Sequence, residues 1–156
     1  MSYRIAGLNP AEFLPLFNMP DEELAARRAK RVVATGKPGF PCRITLEDAE
    51  PGEELVLLNY EHQPAASPFR SAHAIYVRRA AAQPFNAVDT LPPVFRNRMI
   101  SLRGFDVSGE IVAADLVRGE AAAEAIERLF ENGQVAYLHA HYAMFGCFAA
   151  RIDRVE

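Results

Sequence analysis

From Phe40 onward, the apolar residues of this chain recur mainly at every second position, which is the repeat of a β-strand with one buried face. In the stretch "PCRITLED" the even-numbered positions share one predicted face: Cys42, Ile44 and Leu46. The stretch "LVLLNY", residues 55–60, is apolar on both faces and predicts a central strand covered on both sides. "AHAIYVRR", residues 72–79, alternates again and predicts a further strand.

The second half of the chain predicts a hairpin, a helix and two closing strands. "RMISLRGFD" and "EIVAADLV" flank a four-residue turn that ends at Gly109, which is typical of a β-hairpin. Apolar residues at helical spacing predict a helix over residues 120–131, and "YLHAHYAMFGCFAARIDR" predicts the last two strands. Residues 80–97 show no clear period, and a connection of that length is usually functional or mobile.

The first 40 residues predict short helices after a first strand at residues 4–8. Asn9 can cap a helix that Pro15 must end early. "MPDEELAARRAKR" predicts a second helix with acids in its first turn and bases near its end, an order that complements the helix dipole. This explains the basic cluster better than a nucleic-acid patch does; the cluster consists of Arg27, Arg28, Lys30 and Arg31.

These elements predict an α+β fold with a mainly antiparallel sheet of about seven strands, short N-terminal helices and one helix near residues 120–131. Neither an internal repeat nor a linker interrupts the sequence, so residues 1–156 are predicted to form a single domain. A chain of this length typically buries roughly 70% of its unfolded surface, enough for a core without disulfides.

Charge and cysteine usage limit the partners and the compartment. The net charge of −3 provides no basic footprint for nucleic acid or anionic membranes. The opening residues are too polar for a signal peptide, and no segment approaches the roughly 20 apolar residues of a membrane helix. Two isolated cysteines fit a reducing environment. We therefore expect a soluble, cytoplasmic protein that contacts neither nucleic acid nor membrane.

The pair His139 and His141 is the first candidate for chemistry. On a strand, the two side chains project to the same side from Cα atoms roughly 6.7 Å apart, a spacing that lets two imidazoles reach one zinc or iron ion. Cys147 joins them if the turn between the final strands has an odd number of residues, whereas an even turn places Phe148 there. His62, which follows a buried strand directly, is the outside candidate for a third ligand.

Two other interpretations of the closing segment stay open. The histidines can be hydrogen-bonded, half-buried strand residues, with Cys147 a small buried hydrophobe. A catalytic thiol needs a base and a lowered pKa, yet Cys147 would begin a strand and gains no helix dipole, and Cys42 lies on an apolar face. Acid–base chemistry by a histidine is therefore favoured over thiol chemistry. The chain also lacks a phosphate-binding P-loop, a G-x-S-x-G elbow, an H-E-x-x-H motif and paired C-x-x-C motifs.

Two segments, "KPGFPCRITLEDAEPGEELVLLNYEH" and "VAYLHAHYAMFGCFAARIDR", resemble the bacterial family known as domain of unknown function 1203. The resemblance extends over nearly all the chain and rests on a P-C-R strand, a following N-Y-x-H and a terminal G-C-F-x-A-R. It implies bacterial origin and a stand-alone cytoplasmic domain, and it transfers no functional residue because the family has no assigned activity. The shared segments contain Cys42, Arg43, His62, His139, Cys147 and Arg151.

The sequence thus supports two hypotheses from different classes. In the first, the 61–71 loop, the 80–97 loop and the final hairpin form a rim pocket that binds a small molecule. Its candidate catalytic residues are His62, His139, His141 and Cys147, its binding residues are Arg43, Tyr60 and Arg151, and its metal ligands for zinc or iron are His139 and His141. In the second, the protein is a non-catalytic interaction module that forms homodimers through an edge strand or an apolar helix face. The sequence leaves open whether the protein is an enzyme.

Overall fold

The computed structural model describes residues 1–156, which form nine strands, two α-helices and four short 3₁₀ helices. The strands are β1 Ser2–Ala6, β2 Ala29–Val33, β3 Glu54–Gln63, β4 Ser71–Arg78, β5 Asn86–Val88, β6 Met99–Phe105, β7 Ile111–Arg118, β8 Tyr137–Tyr142 and β9 Phe148–Val155. The α-helices are α1 Asp21–Ala26 and α2 Ala122–Phe130, and the 3₁₀ helices are Pro10–Glu12, Leu14–Asn18, Pro93–Phe95 and Gly119–Ala121.

The larger sheet has six antiparallel strands in the order β5-β1-β9-β8-β6-β7. Its main core lies where α2 packs on one face, because the apolar stripe of that helix meets alternate residues of the central strands. The residues of this core include Ile100, Leu102, Ile126, Leu138, Ala140 and Ile152. The opposite face of β8 is thereby left for a different set of side chains.

The smaller sheet has three antiparallel strands in the order β2-β3-β4. Its core is separate and includes Phe13, Leu24, Cys42, Ile44, Val56, Ile75 and Val77. The last residues of β3 lie against the six-stranded sheet, since the Gln63 side-chain amide donates to the Tyr137 hydroxyl at 3.0 Å. The end of β3 therefore meets β8, which is where the candidate site lies.

The α+β class and the mainly antiparallel pairing are confirmed, but the strand count is wrong. Nine strands form two sheets, where about seven strands in one sheet were predicted. Two of the nine lie in segments whose sequences predicted a helix and a loop. One is β5 in the 80–97 segment, and the other is β2. The predicted 120–131 helix is confirmed as α2, and Asn9 caps its short helix by accepting from the Ala11 amide at 3.0 Å.

The second N-terminal helix is shorter than predicted. Helix α1 ends at Ala26, and Arg28 has a positive φ of 56°, a backbone conformation that cannot continue a right-handed helix. Lys30 and Arg31 consequently lie in β2, which pairs with β3. The helix-dipole explanation of the basic cluster was therefore wrong for these two residues.

The predicted strand around Cys42 is also wrong, although its apolar residues are all fully buried. Residues 41–48 form only isolated bridges, with Leu46 at a positive φ of 51°. Their backbone groups bond instead to β4 and to the segment that follows β1: the Arg43 amide donates to the Tyr76 carbonyl at 3.0 Å, and the Leu8 amide donates to the Arg43 carbonyl at 2.8 Å. The segment is a buried connector in which Arg43 is as fully buried as Cys42 and Ile44 on either side of it.

No helix in the structure combines the length and the apolar character that crossing a membrane requires.

Candidate functional site

The two histidines of β8 share one face of the six-stranded sheet. The strand alternates so that Leu138 and Ala140 enter the core under α2, while Tyr137, His139 and His141 take the other side. Both imidazoles are buried: His139 is 3% exposed and His141 is 1% exposed. The strand spacing thus places the rings together, as the sequence predicted, but beneath the surface and not at an open rim.

His62 reaches the same place from the smaller sheet. The pairing of β3 with β4 shifts by one residue between Tyr60 and Gln63, so a β-bulge breaks the strict alternation. As a result His62 and Gln63 are buried in succession, and His62 retains only 9% exposure. A bulge that re-aims a side chain in this way is a common feature of functional sites.

The three imidazoles form a compact group, which we call the histidine cluster: His62, His139 and His141. The centroid of the His62 ring lies 4.9 Å from that of His141 and 6.2 Å from that of His139, and the two β8 rings are 6.3 Å apart. Phe148 closes one side of the cluster, with its ring stacked on His62 at 5.4 Å and 11°.

The turn between β8 and β9 decides which residue joins the cluster. Tyr142 donates its amide to the Cys147 carbonyl at 2.9 Å, so four residues, 143–146, form the turn. This is the even case, and Phe148 pairs with His141 as that case predicts. Cys147 belongs to the core on the other side of the sheet.

One ring nitrogen of each cluster histidine is buried without any hydrogen-bond partner. These atoms are His62 Nδ1, His139 Nδ1 and His141 Nε2. Buried polar atoms are nearly always paired, because an unpaired one loses its bonds to water and gains nothing. The three unpaired nitrogens of the histidine cluster lie on neighbouring rings, so this small region holds three buried polar atoms without a partner.

The protonation state of the cluster follows from its burial. Desolvation lowers the pKa of His62 to about 4 and that of His139 and of His141 to about 3, so all three are neutral at pH 7. His141 Nδ1 lies 3.0 Å from the Gly146 carbonyl oxygen. A carbonyl only accepts, so this Nδ1 carries the hydrogen and the unpaired Nε2 of His141 carries a lone pair.

The charged groups around the cluster are basic. Strand register places Arg103 of β6 and Arg151 of β9 directly opposite His139 on its two sides. Arg151 forms an ion pair with Asp153 at 2.8 Å and lies over the Tyr137 ring at 4.1 Å. Arg103 is partly buried and has no carboxylate partner; its one side-chain hydrogen bond goes to Ser101 Oγ at 3.4 Å.

Comparison with known proteins gives a family for this arrangement. A family model described as a protein of unknown function (DUF1203) matches residues 39–154. The chain belongs to this family. No curated protein and no solved structure matches it. The DUF1203 match includes the histidine cluster, Phe148 and both flanking arginines, so the whole candidate site lies within the part of the chain that the family model describes.

The predicted binding residues of this DUF1203 protein do not all face the cluster. The Arg43 side chain is fully buried and serves the backbone: its Nε donates to the Phe148 carbonyl at 2.7 Å, and Nη1 donates to the Pro41 carbonyl at 2.6 Å. The Tyr60 ring lies 6.4 Å from the Phe148 ring, and Phe148 is the residue that stacks on His62 of the cluster. Arg151 flanks His139 directly. The binding roles of Arg43, Tyr60 and Arg151 stay predictions.

The two cysteines lie apart from the histidine cluster. Both are free and buried, Cys147 in the core under α2 and Cys42 in the core of the smaller sheet, so they do not form a disulfide. Cys42 Sγ accepts from the amides of Ile44 and Arg78 at 3.4 Å. The sheet separates Cys147 from the histidines, which leaves the thiol without a neighbouring imidazole base on its own side.

The loops predicted as a rim contribute unequally. The 61–71 segment supplies His62 and Gln63 at the cluster. The 80–97 segment instead supplies β5, at the edge of the six-stranded sheet, with β1 and β9 between it and β8. Two surface grooves also lie elsewhere, one beside Arg28 and Leu57 and the other beside Arg98 and Arg118.

No three His, Cys, Asp or Glu side chains stand in an arrangement that could hold a metal ion. His62, His139 and His141 have the neutral nitrogens that zinc and iron prefer, but their rings as placed do not converge on one point. Zinc or iron binding by His139 and His141 stays a prediction.

Sequence reasoning missed Arg103 and Gln63. Arg103 stands at an odd position of "RMISLRGFD", on the polar side with Ser101, so its alternation was visible. Its position opposite His139 depends on how β6 pairs with β8, and nothing within either segment fixes that register.

Proposed function

We propose that this protein binds a small polar molecule at the histidine cluster. The observation that carries the proposal is the set of three buried, unpaired imidazole nitrogens on neighbouring rings. Each of these nitrogens lacks a hydrogen bond within the protein. A ligand that bonds to all three removes the free-energy penalty of burying them unpaired. Partial exposure of Arg103 and Tyr137 beside the cluster supports entry from that side.

The chemistry of the three nitrogens favours a ligand that carries a hydroxyl or another donor hydrogen. His141 Nε2 presents a lone pair and so accepts a hydrogen bond, while His62 Nδ1 and His139 Nδ1 donate or accept according to their tautomers. We propose that any reaction at this site is acid–base chemistry by these imidazoles. Thiol chemistry at Cys147 is disfavoured because that side chain lies in the opposite core.

The proposal is tested by titrating purified protein with small hydroxyl-bearing molecules and following the histidine ring signals by NMR. A ligand present at 100 times its Kd should stabilise the protein by about 2.7 kcal/mol, which a thermal melt detects. His141→Leu, which removes the lone pair, should abolish both effects, and His73→Leu is the matched control because His73 is exposed and outside the cluster. Equal responses in the two variants would refute the proposal.

Metal analysis of protein purified without chelator tests the zinc or iron prediction separately. Stoichiometric metal that is lost in the double variant His139→Gln/His141→Gln would support it. Metal that survives in that variant would place any ion elsewhere.

A second candidate function is homodimerisation, favoured by one surface feature. The turn after β8 exposes Met144 by 89% and Phe145 by 77%, and the Ala143 amide donates to the carbonyl of the exposed Met99 at 3.0 Å. Apolar side chains grouped at one sheet end are typical of an interaction surface. Sedimentation at increasing concentration tests this candidate, and Met144→Ser/Phe145→Ser should remain monomeric if it is correct.

We further propose that residues 1–156 act as a single domain of a bacterial, cytoplasmic protein. The hydrogen bond from Arg43 to Phe148 and the one from Gln63 to Tyr137 support one domain, because they join the two sheets. Two buried free thiols support a reducing compartment. The family resemblance supports bacterial origin.

A further inference from the structure

We infer that the ligand of the histidine cluster is a small oxyanion, held by the guanidinium of Arg103. This inference rests on the proposed function and names its ligand class: a small hydroxy acid or a phosphate that still carries a hydrogen. Both present negative oxygens together with an O–H group.

Arg103 is placed to reach a ligand at the cluster. It stands directly opposite His139 in the β6–β8 register, with Ser101 opposite His141 in the same row of the sheet. Directly opposed residues on one face have Cβ atoms about 5 Å apart, so the guanidinium and the two rings share a neighbourhood. The charge of Arg103 also acts on all three cluster histidines and lowers their pKa values.

The charge of Arg103 is not neutralised within the protein. Eight of the other arginines form ion pairs, including Arg151 with Asp153 on the other side of His139, but Arg103 forms none. A guanidinium always carries its charge, and partial burial removes water that would otherwise solvate it. A partly buried, unpaired guanidinium beside unpaired polar atoms is therefore best completed by an anion.

The carboxylate that the strand register places on this face, Asp153, is already paired with Arg151. Arg103 acts on all three cluster histidines, and Arg151 acts on His139. The site is therefore electropositive although the protein as a whole has a net charge of −3. An anion gains from this local field, whereas a cationic ligand would be repelled.

The roles of the individual groups follow from their hydrogen-bonding capacity. The Arg103 guanidinium donates two parallel hydrogen bonds to the negative oxygens of the ligand. His141 Nε2 accepts the hydrogen of the ligand O–H group, because its Nδ1 already donates to Gly146. His139 holds the tautomer that donates from Nδ1 to a remaining ligand oxygen.

The test compares glycolate with glycolamide, which keeps the hydroxyl and replaces the carboxylate by a neutral amide. NMR titration of the full chain at constant ionic strength should show glycolate moving the ring signals of the cluster histidines with an affinity at least about tenfold above that of glycolamide. Inorganic phosphate is a separate arm: if it binds at least as tightly as glycolate, the natural ligand carries a phosphate, and if more weakly, a carboxylate.

Arg103→Gln supplies the second arm, with Arg96→Gln as the matched control because Arg96 is exposed and forms no side-chain hydrogen bond or ion pair. Arg103→Gln should reduce glycolate affinity about tenfold or more while leaving the melting temperature of the free protein unchanged or higher, since it removes an unpaired charge. Arg96→Gln should change neither quantity.

The outcomes separate the inference from the function on which it rests. Glycolamide binding as tightly as glycolate, or full glycolate affinity in Arg103→Gln, would overturn the oxyanion inference and leave the polar-ligand proposal standing. If neither small molecule nor phosphate moves the cluster signals, both are overturned. The comparison of glycolate with glycolamide uses the unmodified protein and so does not depend on how any variant folds.

Discussion

Acidification between pH 7 and pH 5 should destabilise this protein strongly, because the folded state holds three histidines neutral. In the unfolded chain their pKa is about 6.5, whereas burial lowers it to about 4 for His62 and about 3 for His139 and His141. Below pH 6.5 the unfolded state therefore binds more protons than the folded state. Stability falls as the pH falls through that range, and it is fully present only above the unfolded pKa.

The magnitude follows from the same values. At pH 5 each unfolded histidine gains about 2 kcal/mol from protonation relative to pH 7, while the folded histidines stay neutral. The three together cost about 6 kcal/mol, which is comparable with the whole free energy of unfolding of many domains, about 5–15 kcal/mol. Carboxylates contribute little in this window because their unfolded pKa values lie near 4.

The assay is urea denaturation followed by circular dichroism at steps from pH 7 to pH 5. In His139→Gln the loss over this range should fall from about 6 to about 4 kcal/mol, because one titrating group is gone. His73→Gln is the matched control because His73 is exposed and lies outside the histidine cluster, and the loss should persist in that variant. A free energy of unfolding that is the same at both ends of the range would refute the reasoning.

Three further predictions each change a single residue. Gly7→Ala should destabilise the protein by about 3 kcal/mol or more in thermal melts, because the new Cβ would lie 1.9 Å from the Ile44 carbonyl oxygen. Gly36→Ala is the control and should be nearly neutral, because open space surrounds Gly36. Arg43→Met should cost about 3 kcal/mol by urea denaturation, since two buried carbonyls lose a charged donor. Cys147→Ala should leave glycolate binding unchanged, because its side chain lies in the opposite core; lost binding would contradict that orientation of the thiol.

The sequence predicted well those features that depend on local periodicity. Strands with clear alternation or continuous apolar runs, such as β3, β4, β8 and β9, are present, and so is the helix near residue 126. The shared face of His139 and His141 follows from strand geometry alone. The sequence predicted that an odd turn would place Cys147 beside His141 and that an even turn would place Phe148 there. It could not predict that the turn has four residues, which places Phe148 there.

What the sequence could not show depends on long-range register and on irregular backbone. The bulge that turns His62 inward has no local signature, and neither does the pairing that sets Arg103 opposite His139. The segment around Cys42 shows the limit of periodicity, because its apolar residues alternate in sequence although it is not a strand and Arg43 between them is buried too.

The position of β9 has a consequence for how the protein matures. It is the last strand along the chain, yet it lies inside the six-stranded sheet, between β1 and β8, and carries the Phe148 ring that closes the cluster. During synthesis the first strand must therefore wait, unpaired on that edge, until residues 148–155 have left the ribosome. Products cut short before Phe148 should be substrates for chaperones and proteases, and ligand binding would then report only on chains completed past β9.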